Sequence, residues 1–155
     1  MRAIRAFWAL LAWLFLLAIP VQFYLAGHGA MEGAHAADDG TRVMSTAWDP
    51  HALLGTGLAL LSILIVLMAL AGRVPRRLLG ASALLLVFMV IQFFLPFAND
   101  SAGTRPIAAL HAVNALVVTG LAVSLALRSR QYLPFARGET EEQRRDAAVP
   151  AGAGR

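Results

Sequence analysis

His51 and His111 are the side chains of this sequence best suited to chemistry. Each lies near the start of a long segment without Asp, Glu or Arg, and is nearly alone there as an ionisable group. A charged side chain inside a membrane span costs about 2.5 kcal/mol or more, so such a residue is expected to be functional or paired. Two neutral imidazoles on facing helices can supply both axial ligands of a b-type haem. The sequence therefore predicts haem b, with its iron held by this histidine pair.

A purely structural role for both histidines stays open. Each imidazole can instead hydrogen-bond a neighbouring helix, a contact worth about 0.6 to 2 kcal/mol in a membrane. Depth along the helices also argues against haem, because His51 lies 22 residues before Arg73 whereas His111 lies 17 residues before Arg128. Five residues of helix rise by roughly 7.5 Å. Haem binding therefore requires that the fourth helix continue past Arg128 or that the helices tilt differently.

Small and amide side chains complete the predicted site. Gly55 and Ala115 each follow a histidine by four residues, one turn deeper on the same face, where a flat macrocycle needs small side chains. Gln22, Gln92 and Asn114 carry amides that need partners in a dry environment. Those partners are either amides of the other hairpin, in reciprocal hydrogen bonds, or a polar edge of the cofactor or His111. The predicted cofactor-binding residues are His51, His111, Gly55, Ala115, Gln22, Gln92 and Asn114.

Four stretches without Asp, Glu or Arg must position these residues. They cover 6–31, 50–72, 78–99 and 106–127, and each is long enough for a hydrocarbon core that needs about 20 helical residues. Hydrophobic residues make up 59% of the chain and the mean hydropathy is +0.67. A soluble bundle would carry a charged stripe on each helix. We therefore predict an all-α integral membrane four-helix bundle that contacts the lipid bilayer.

The chain divides into one membrane domain, 1–130, and a polar tail, 131–155. The tail ends in an Ala-, Gly- and Pro-rich run and is predicted to be disordered. The loop at 28–49 is rich in Gly, Ala and Asp and shows no apolar periodicity. The predicted helices cover about 5–27, 50–72, 78–97 and 106–129.

The arginines predict the orientation of the bundle. Eleven of the thirteen lie in the N-terminus, the loop after the second span or the tail, and only Arg42 and Arg105 lie in the other two loops. By the positive-inside rule both termini of this multi-pass protein are cytoplasmic, in the cell membrane, and the histidines lie near the outer face. The basic character of the chain reflects topology, so no nucleic-acid partner is predicted.

An internal repeat relates the first and third spans. Residues 14–27 and 84–97 agree at five of fourteen positions when Gln22 is aligned with Gln92. The second and fourth spans align on His-Ala, at His51 and His111. We interpret the bundle as two helical hairpins in pseudo-two-fold symmetry about the membrane normal, which places the histidines opposite each other.

The chain resembles a functionally uncharacterised bacterial family of small four-helix membrane proteins, a domain of unknown function, over about residues 5–128. That family implies the fold but no activity. The architecture is also similar to four-helix cytochromes b and to one half of haem A synthase, which place histidines on helices 2 and 4. The resembling features are Val21-Gln22 with Gly27, His51 with Gly55, Ile91-Gln92 with Leu95-Pro96, and Leu110-His111 with Asn114-Ala115.

Two functions stay open at this point. The first is an electron-transfer protein that exchanges electrons with quinone or a membrane redox complex through haem b. The second is a non-catalytic accessory or assembly subunit of a membrane complex. No catalytic residue is predicted, and the absence of cysteine excludes thiolate metal sites, iron–sulfur clusters and covalently attached haem. A small transporter is disfavoured because no span contains an acid that could carry a proton.

Overall fold

The computed structural model describes residues 1–38, 49–96 and 105–134, without the side chains of 33–38 and 105–108. All regular structure within these residues is helical, which confirms the predicted all-α class. The four helices are α1 (Arg2–Asp38), α2 (Asp49–Ala71), α3 (Arg76–Phe94) and α4 (Arg105–Ser129), and a 3₁₀ turn (Arg130–Tyr132) follows α4.

The helices form a closed ring in chain order. Each packs on the next, and α4 packs back on α1, so α2 and α4 face each other across the centre. All four are long and apolar enough to cross a bilayer, which makes the chain a multi-pass membrane protein. Large apolar side chains cover the outside of the bundle, and Leu53 and Leu116 are 76% and 66% exposed. Such helices, apolar on all faces, suit a lipid environment.

The turn between α2 and α3 is built by a Schellman motif. Arg73 adopts a left-handed conformation with φ of 49°, and its N–H donates to Leu70 O at 3.0 Å. The next N–H, of Val74, donates to Ala69 O at 3.1 Å, and both of these side chains are buried together. Pro75 then precedes α3. This tight turn holds α2 and α3 as antiparallel neighbours.

Arg5 fastens α1 to the same turn, at the end of the bundle that we call the arginine end. Its Nε donates to Gly72 O at 2.8 Å and its Nη2 to Arg73 O at 3.0 Å. These carbonyls lie at the C-terminus of α2, where backbone acceptors lack helical partners and cations are favoured. The guanidinium also lies 6.0 Å from the Tyr132 ring, which packs edge-on against Trp8. This cluster therefore ties α1, α2 and the segment after α4 together.

The first helix departs furthest from its predicted bounds. The first helix continues to Asp38 instead of ending near residue 27, because alanines and other helix formers extend it beyond the apolar stretch. The fourth helix ends at Ser129, and the 3₁₀ turn after it carries helical structure past Arg128 to Tyr132, as similar depth of the histidines required. Residues 39–48 of the predicted outer loop and 135–155 of the predicted disordered tail lie outside the described residues.

Candidate functional site

A central cavity of about 510 Å³ opens at the other end of the bundle, which we call the histidine end. All four helices line it, and its walls are mainly apolar, with Phe15, Ile19, Met89 and Phe93 among them. Its volume falls within the range of about 300 to 1,000 Å³ typical of small-molecule and cofactor sites. The polar lining residues are His51, His111, Gln22, Gln92, Thr56 and Thr119.

The two histidines face each other in this cavity. The ring centroids of His51 and His111 are 6.2 Å apart, and the ring planes are crossed at 65°. His51 lies in the first turn of α2, and His111 lies on the second turn of α4. Because α2 and α4 are diagonal in the ring, the imidazoles meet across the centre of the bundle rather than along one wall. The two residues therefore lie at similar depth, although their distances to the following arginines in sequence differ.

Gln22 of α1 contacts His51 at three points. The ring Nδ1 donates to the Gln22 backbone oxygen at 3.3 Å, which requires the proton on Nδ1 because a carbonyl only accepts. The other ring nitrogen, Nε2, then carries a lone pair in the neutral ring. The Gln22 amide Nε2 lies 3.4 Å from this nitrogen and donates to the His51 backbone oxygen at 3.0 Å. These contacts fix the orientation of the Gln22 amide.

Gln92 of α3 makes matching contacts to His111, and they are shorter. The ring Nδ1 donates to the Gln92 backbone oxygen at 3.1 Å, and the Gln92 amide nitrogen lies 3.0 Å from His111 Nε2. Pro96 explains why this backbone oxygen is available. The helical donor to residue 92 would be the N–H of residue 96, and proline has none. The carbonyl is therefore left for the imidazole.

Asn114 extends this network on one side of the cavity. Its Nδ2 donates to Gln92 Oε1 at 2.6 Å and to the Phe88 backbone oxygen at 2.9 Å. The residue is 8% exposed, so both bonds link α4 to α3 in a largely dry environment. Asn114 thus holds the Gln92 amide, which in turn contacts His111.

The opposite side of the cavity lacks such a residue. Leu54, three residues after His51, takes the place that Asn114 has after His111. The Gln22 Oε1 atom is buried and has no hydrogen-bonding partner among the described residues. The two sides therefore share the glutamine–histidine contact and differ in what holds the glutamine. Pseudo-two-fold symmetry of the hairpins stays a prediction.

Gly55 and Ala115 both line the cavity, one helical turn deeper than the histidines. A Cβ added to Gly55 would lie 3.1 Å from Gln22 Nε2, which is tighter than ordinary van der Waals contact. The glycine is therefore needed for the close approach of the Gln22 side chain to α2, in addition to any demand of a ligand. The sequence indicated a small residue here for the macrocycle alone.

Two imidazoles are the metal-binding groups that this cavity offers. Among the described residues, no cluster of three or more His, Asp or Glu side chains is close enough to hold a metal ion. Two nitrogens fall short of the three or four protein ligands usual for zinc. A haem iron needs only two protein ligands, because its remaining four belong to the macrocycle.

Comparison with known proteins gives the family of the chain. The sequence profile of a family of unknown function, DUF6220, matches residues 22–99, about half of the chain. The chain belongs to the DUF6220 family. The DUF6220 match covers Gln22, His51, Gly55 and Gln92 and ends before α4, so His111 lies outside it. No curated protein and no solved structure matches the chain. The predicted membership of an uncharacterised family is confirmed, and the DUF6220 description brings no activity.

Sequence reasoning missed Pro96 and Leu54 as parts of the site. The signal for Pro96 was present, because a proline four residues after Gln92 must free the carbonyl of that residue. The signal for Leu54 was the repeat itself, which pairs this leucine with Asn114. Both residues change how a histidine is held without carrying a metal-ligating group.

Proposed function

We propose that this protein binds one b-type haem between His51 and His111 and transfers electrons within the membrane. The observation that carries the proposal is the pair of facing imidazoles, whose ring centroids are 6.2 Å apart inside a cavity lined by all four helices. Two axial bonds of about 2.0 Å, plus the distance from each ligating nitrogen to its ring centre, give a centroid separation of roughly 6 Å. The observed separation matches this value, and ligation further requires that both Nε2 atoms point into the gap between the rings.

The hydrogen bonds of both rings also favour iron ligation. Each Nδ1 donates to a helix carbonyl, of Gln22 or Gln92, and leaves a lone pair on Nε2. A ligating histidine usually donates its other ring N–H in this way, which fixes the tautomer and raises the basicity of the ligand. The two glutamine amides now lie against Nε2 and must turn aside for a metal. Such membrane hydrogen bonds average about 0.6 kcal/mol, far less than two iron–nitrogen bonds supply.

Residues of this chain would position the haem and keep water away from it. His51 and His111 would hold the iron, while Phe15, Ile19 and Phe93 provide an apolar wall around it. Bound haem supplies reversible one-electron chemistry at a potential set by its axial ligands and surroundings. Because the cavity lies between membrane spans, quinone or a redox complex of the same bilayer is the partner that such a carrier would serve.

We further propose that the histidine end faces outward from the cell membrane and that both termini are cytoplasmic. Arg5, Arg73, Arg76, Arg77 and Arg128 all belong to the arginine end, as the positive-inside rule requires of a cytoplasmic end. A cysteine placed at Ala37 should react with an impermeant thiol reagent on intact cells, whereas one at Gly138 should react only after lysis. The reverse pattern would contradict this orientation.

Absorption spectra of the detergent-purified protein test the haem proposal. After expression with ample haem, a Soret band should be present and should sharpen and shift on dithionite reduction, as in a six-coordinate b-type cytochrome. His51→Ala and His111→Ala should each abolish that bis-histidine spectrum but still insert into the membrane. His28→Ala, at an exposed position on α1, is the matched control and should leave the spectrum unchanged. A haem-free wild type would contradict the proposal.

An accessory or assembly subunit is the second candidate function. The contacts of Gln22 with His51 and of Gln92 with His111 favour it, because they join adjacent helices and already satisfy the imidazole nitrogens. In that case each histidine only links the two helices of its own hairpin. The purified protein would then lack a Soret band. Both His→Ala variants would lower the free energy of unfolding without any change in the absorption spectrum.

A further inference from the structure

The two histidines are held unequally by the backbone. The Gln92 oxygen that accepts from His111 has no competing helical donor, because Pro96 lacks an N–H. The Gln22 oxygen that accepts from His51 belongs to continuous α-helix, where the N–H of Ala26 also points at it. The two ring-to-carbonyl distances are 3.1 Å for His111 and 3.3 Å for His51.

The side chains behind the two glutamines show the same inequality. Asn114 donates to Gln92 Oε1 at 2.6 Å, whereas Gln22 Oε1 is buried without a partner among the described residues. Leu54 occupies the position equivalent to Asn114 and cannot donate. Groups that orient a metal-bound histidine change its affinity by about 10- to 100-fold. The network behind His111 is therefore the stronger one.

Helix position adds a third, independent difference. His51 is the third residue of α2, which begins at Asp49, and His111 is the seventh residue of α4, which begins at Arg105. The first turn of a helix lacks i→i−4 bonds for its N–H groups and opens at lower free energy than the interior. A side chain in that turn can leave its position with less disturbance of the helix.

We propose that His51 is the exchangeable axial ligand and that a neutral diatomic gas of the CO, NO or O₂ class takes its place. This inference rests on the proposed haem. With haem bound, the exchange would break the bond from His51 Nε2 to ferrous iron and form one from the gas, with no net transfer of electrons or protons. His111, supported by Gln92 and Asn114, would keep its bond. The protein is then a gas-responsive membrane protein as well as an electron carrier.

Gln22 is the residue placed to recognise the gas. Its amide Nε2 lies 3.4 Å from His51 Nε2 in the structure, so an amide that turns aside for the iron remains near enough to turn back when this nitrogen leaves. An amide N–H beside that position can donate to a polarised diatomic ligand, and a buried donor of this kind contributes more than it would in water. Gln22 is thus a positioning residue for the incoming ligand.

Carbon monoxide binding to the dithionite-reduced, haem-loaded protein tests this inference. Wild type should bind CO, with the shifted and intensified Soret band of a histidine–CO complex. Leu54→Asn supplies the missing donor to Gln22 Oε1 and should slow CO binding about five-fold, the effect of one buried hydrogen bond. Leu54→Met keeps the volume without a donor and should bind CO at the wild-type rate. Asn114→Leu should leave the CO-binding rate close to that of wild type, because it weakens the support of His111, which is not the ligand that leaves.

The identity of the leaving histidine is tested by the variants of the pair. Ferrous His51→Ala with CO should give the same spectrum as wild type with CO, because His111 is the remaining ligand in both. Agreement with the CO spectrum of His111→Ala instead would overturn the inference, and so would a wild type that keeps its bis-histidine spectrum under saturating CO.

Equal effects of Leu54→Asn and Leu54→Met on the CO-binding rate would also overturn the inference. If Leu54→Asn fails to assemble, the Asn114→Leu rate decides, and an increase of about five-fold or more counts against the inference because it would make His111 the leaving ligand. A protein with no Soret band contradicts the proposed haem function itself, which separates the two failures.

Discussion

Replacing Asn114 by leucine removes the side chain that links α3 to α4 behind His111. Two hydrogen bonds are lost, at 2.6 Å to Gln92 Oε1 and at 2.9 Å to Phe88 O. The Phe88 oxygen keeps its helical donor, whereas Gln92 Oε1, in a part-buried position, loses the Asn114 donor. Membrane hydrogen bonds average about 0.6 kcal/mol and reach about 1.7 kcal/mol, and an orphaned buried acceptor costs about 1 to 3 kcal/mol. We therefore expect a loss of about 2 kcal/mol in the free energy of unfolding.

Unfolding by SDS in mixed micelles, followed by far-ultraviolet circular dichroism, measures this loss. Thr119→Val is the matched control, because the Thr119 hydroxyl donates to Ala115 O at 2.7 Å within the same helix. That variant removes a hydrogen bond that joins no other helix, so it should lose less than about 0.5 kcal/mol. An Asn114→Leu variant as stable as Thr119→Val would refute the assignment of Asn114 as an interhelical link.

Two further predictions concern the ends of the bundle. Arg5→Ala removes two charge-assisted bonds to the α2 carbonyls and should lower the free energy of unfolding by about 2 kcal/mol. Arg2→Ala, at an exposed position, should lower it by less than about 0.5 kcal/mol in the same SDS titration. Gly55→Ala places a Cβ 3.1 Å from Gln22 Nε2 and should reduce haem occupancy and stability. Gly57→Ala meets nothing within 4 Å and should be neutral or stabilising by up to about 1 kcal/mol. Equal effects within either pair would count against the corresponding contact.

The helices were predictable from sequence because their signal is strong and local. Long apolar stretches without acids or arginines have one stable form in a bilayer, so the four spans follow from composition alone. The need of Gln22 and Gln92 for partners also followed from physical chemistry, since a dry amide requires a hydrogen bond. The partners themselves differ from the expected reciprocal bonds between hairpins, because each glutamine lies against the histidine of its own hairpin. The first helix ran further than predicted because hydropathy marks where a span leaves lipid and says little about where a helix ends.

The arginine-end cluster and the unequal histidine supports were not predictable in the same way. Arg5 donates to a carbonyl at the end of α2 that lies 67 positions away in sequence. No local pattern predicts which backbone oxygens a cation will bond. The inequality depends on Pro96 and Leu54, whose importance shows only after the glutamine–histidine contacts are known. The spacing of each histidine from the next arginine suggested that the two lie at different depths. The structure does not have this difference, because α4 continues helically beyond Arg128.

Electron paramagnetic resonance of the oxidised protein, at a measured haem content, tests the central claim most directly. Ligation by both His51 and His111 predicts one haem per chain and a low-spin ferric signal, because two imidazoles impose a strong axial field. Either histidine replaced by alanine should convert that signal to high spin or release the haem. A wild type without stoichiometric haem, or one whose ferric signal is high-spin, would contradict a bis-histidine site in this bundle.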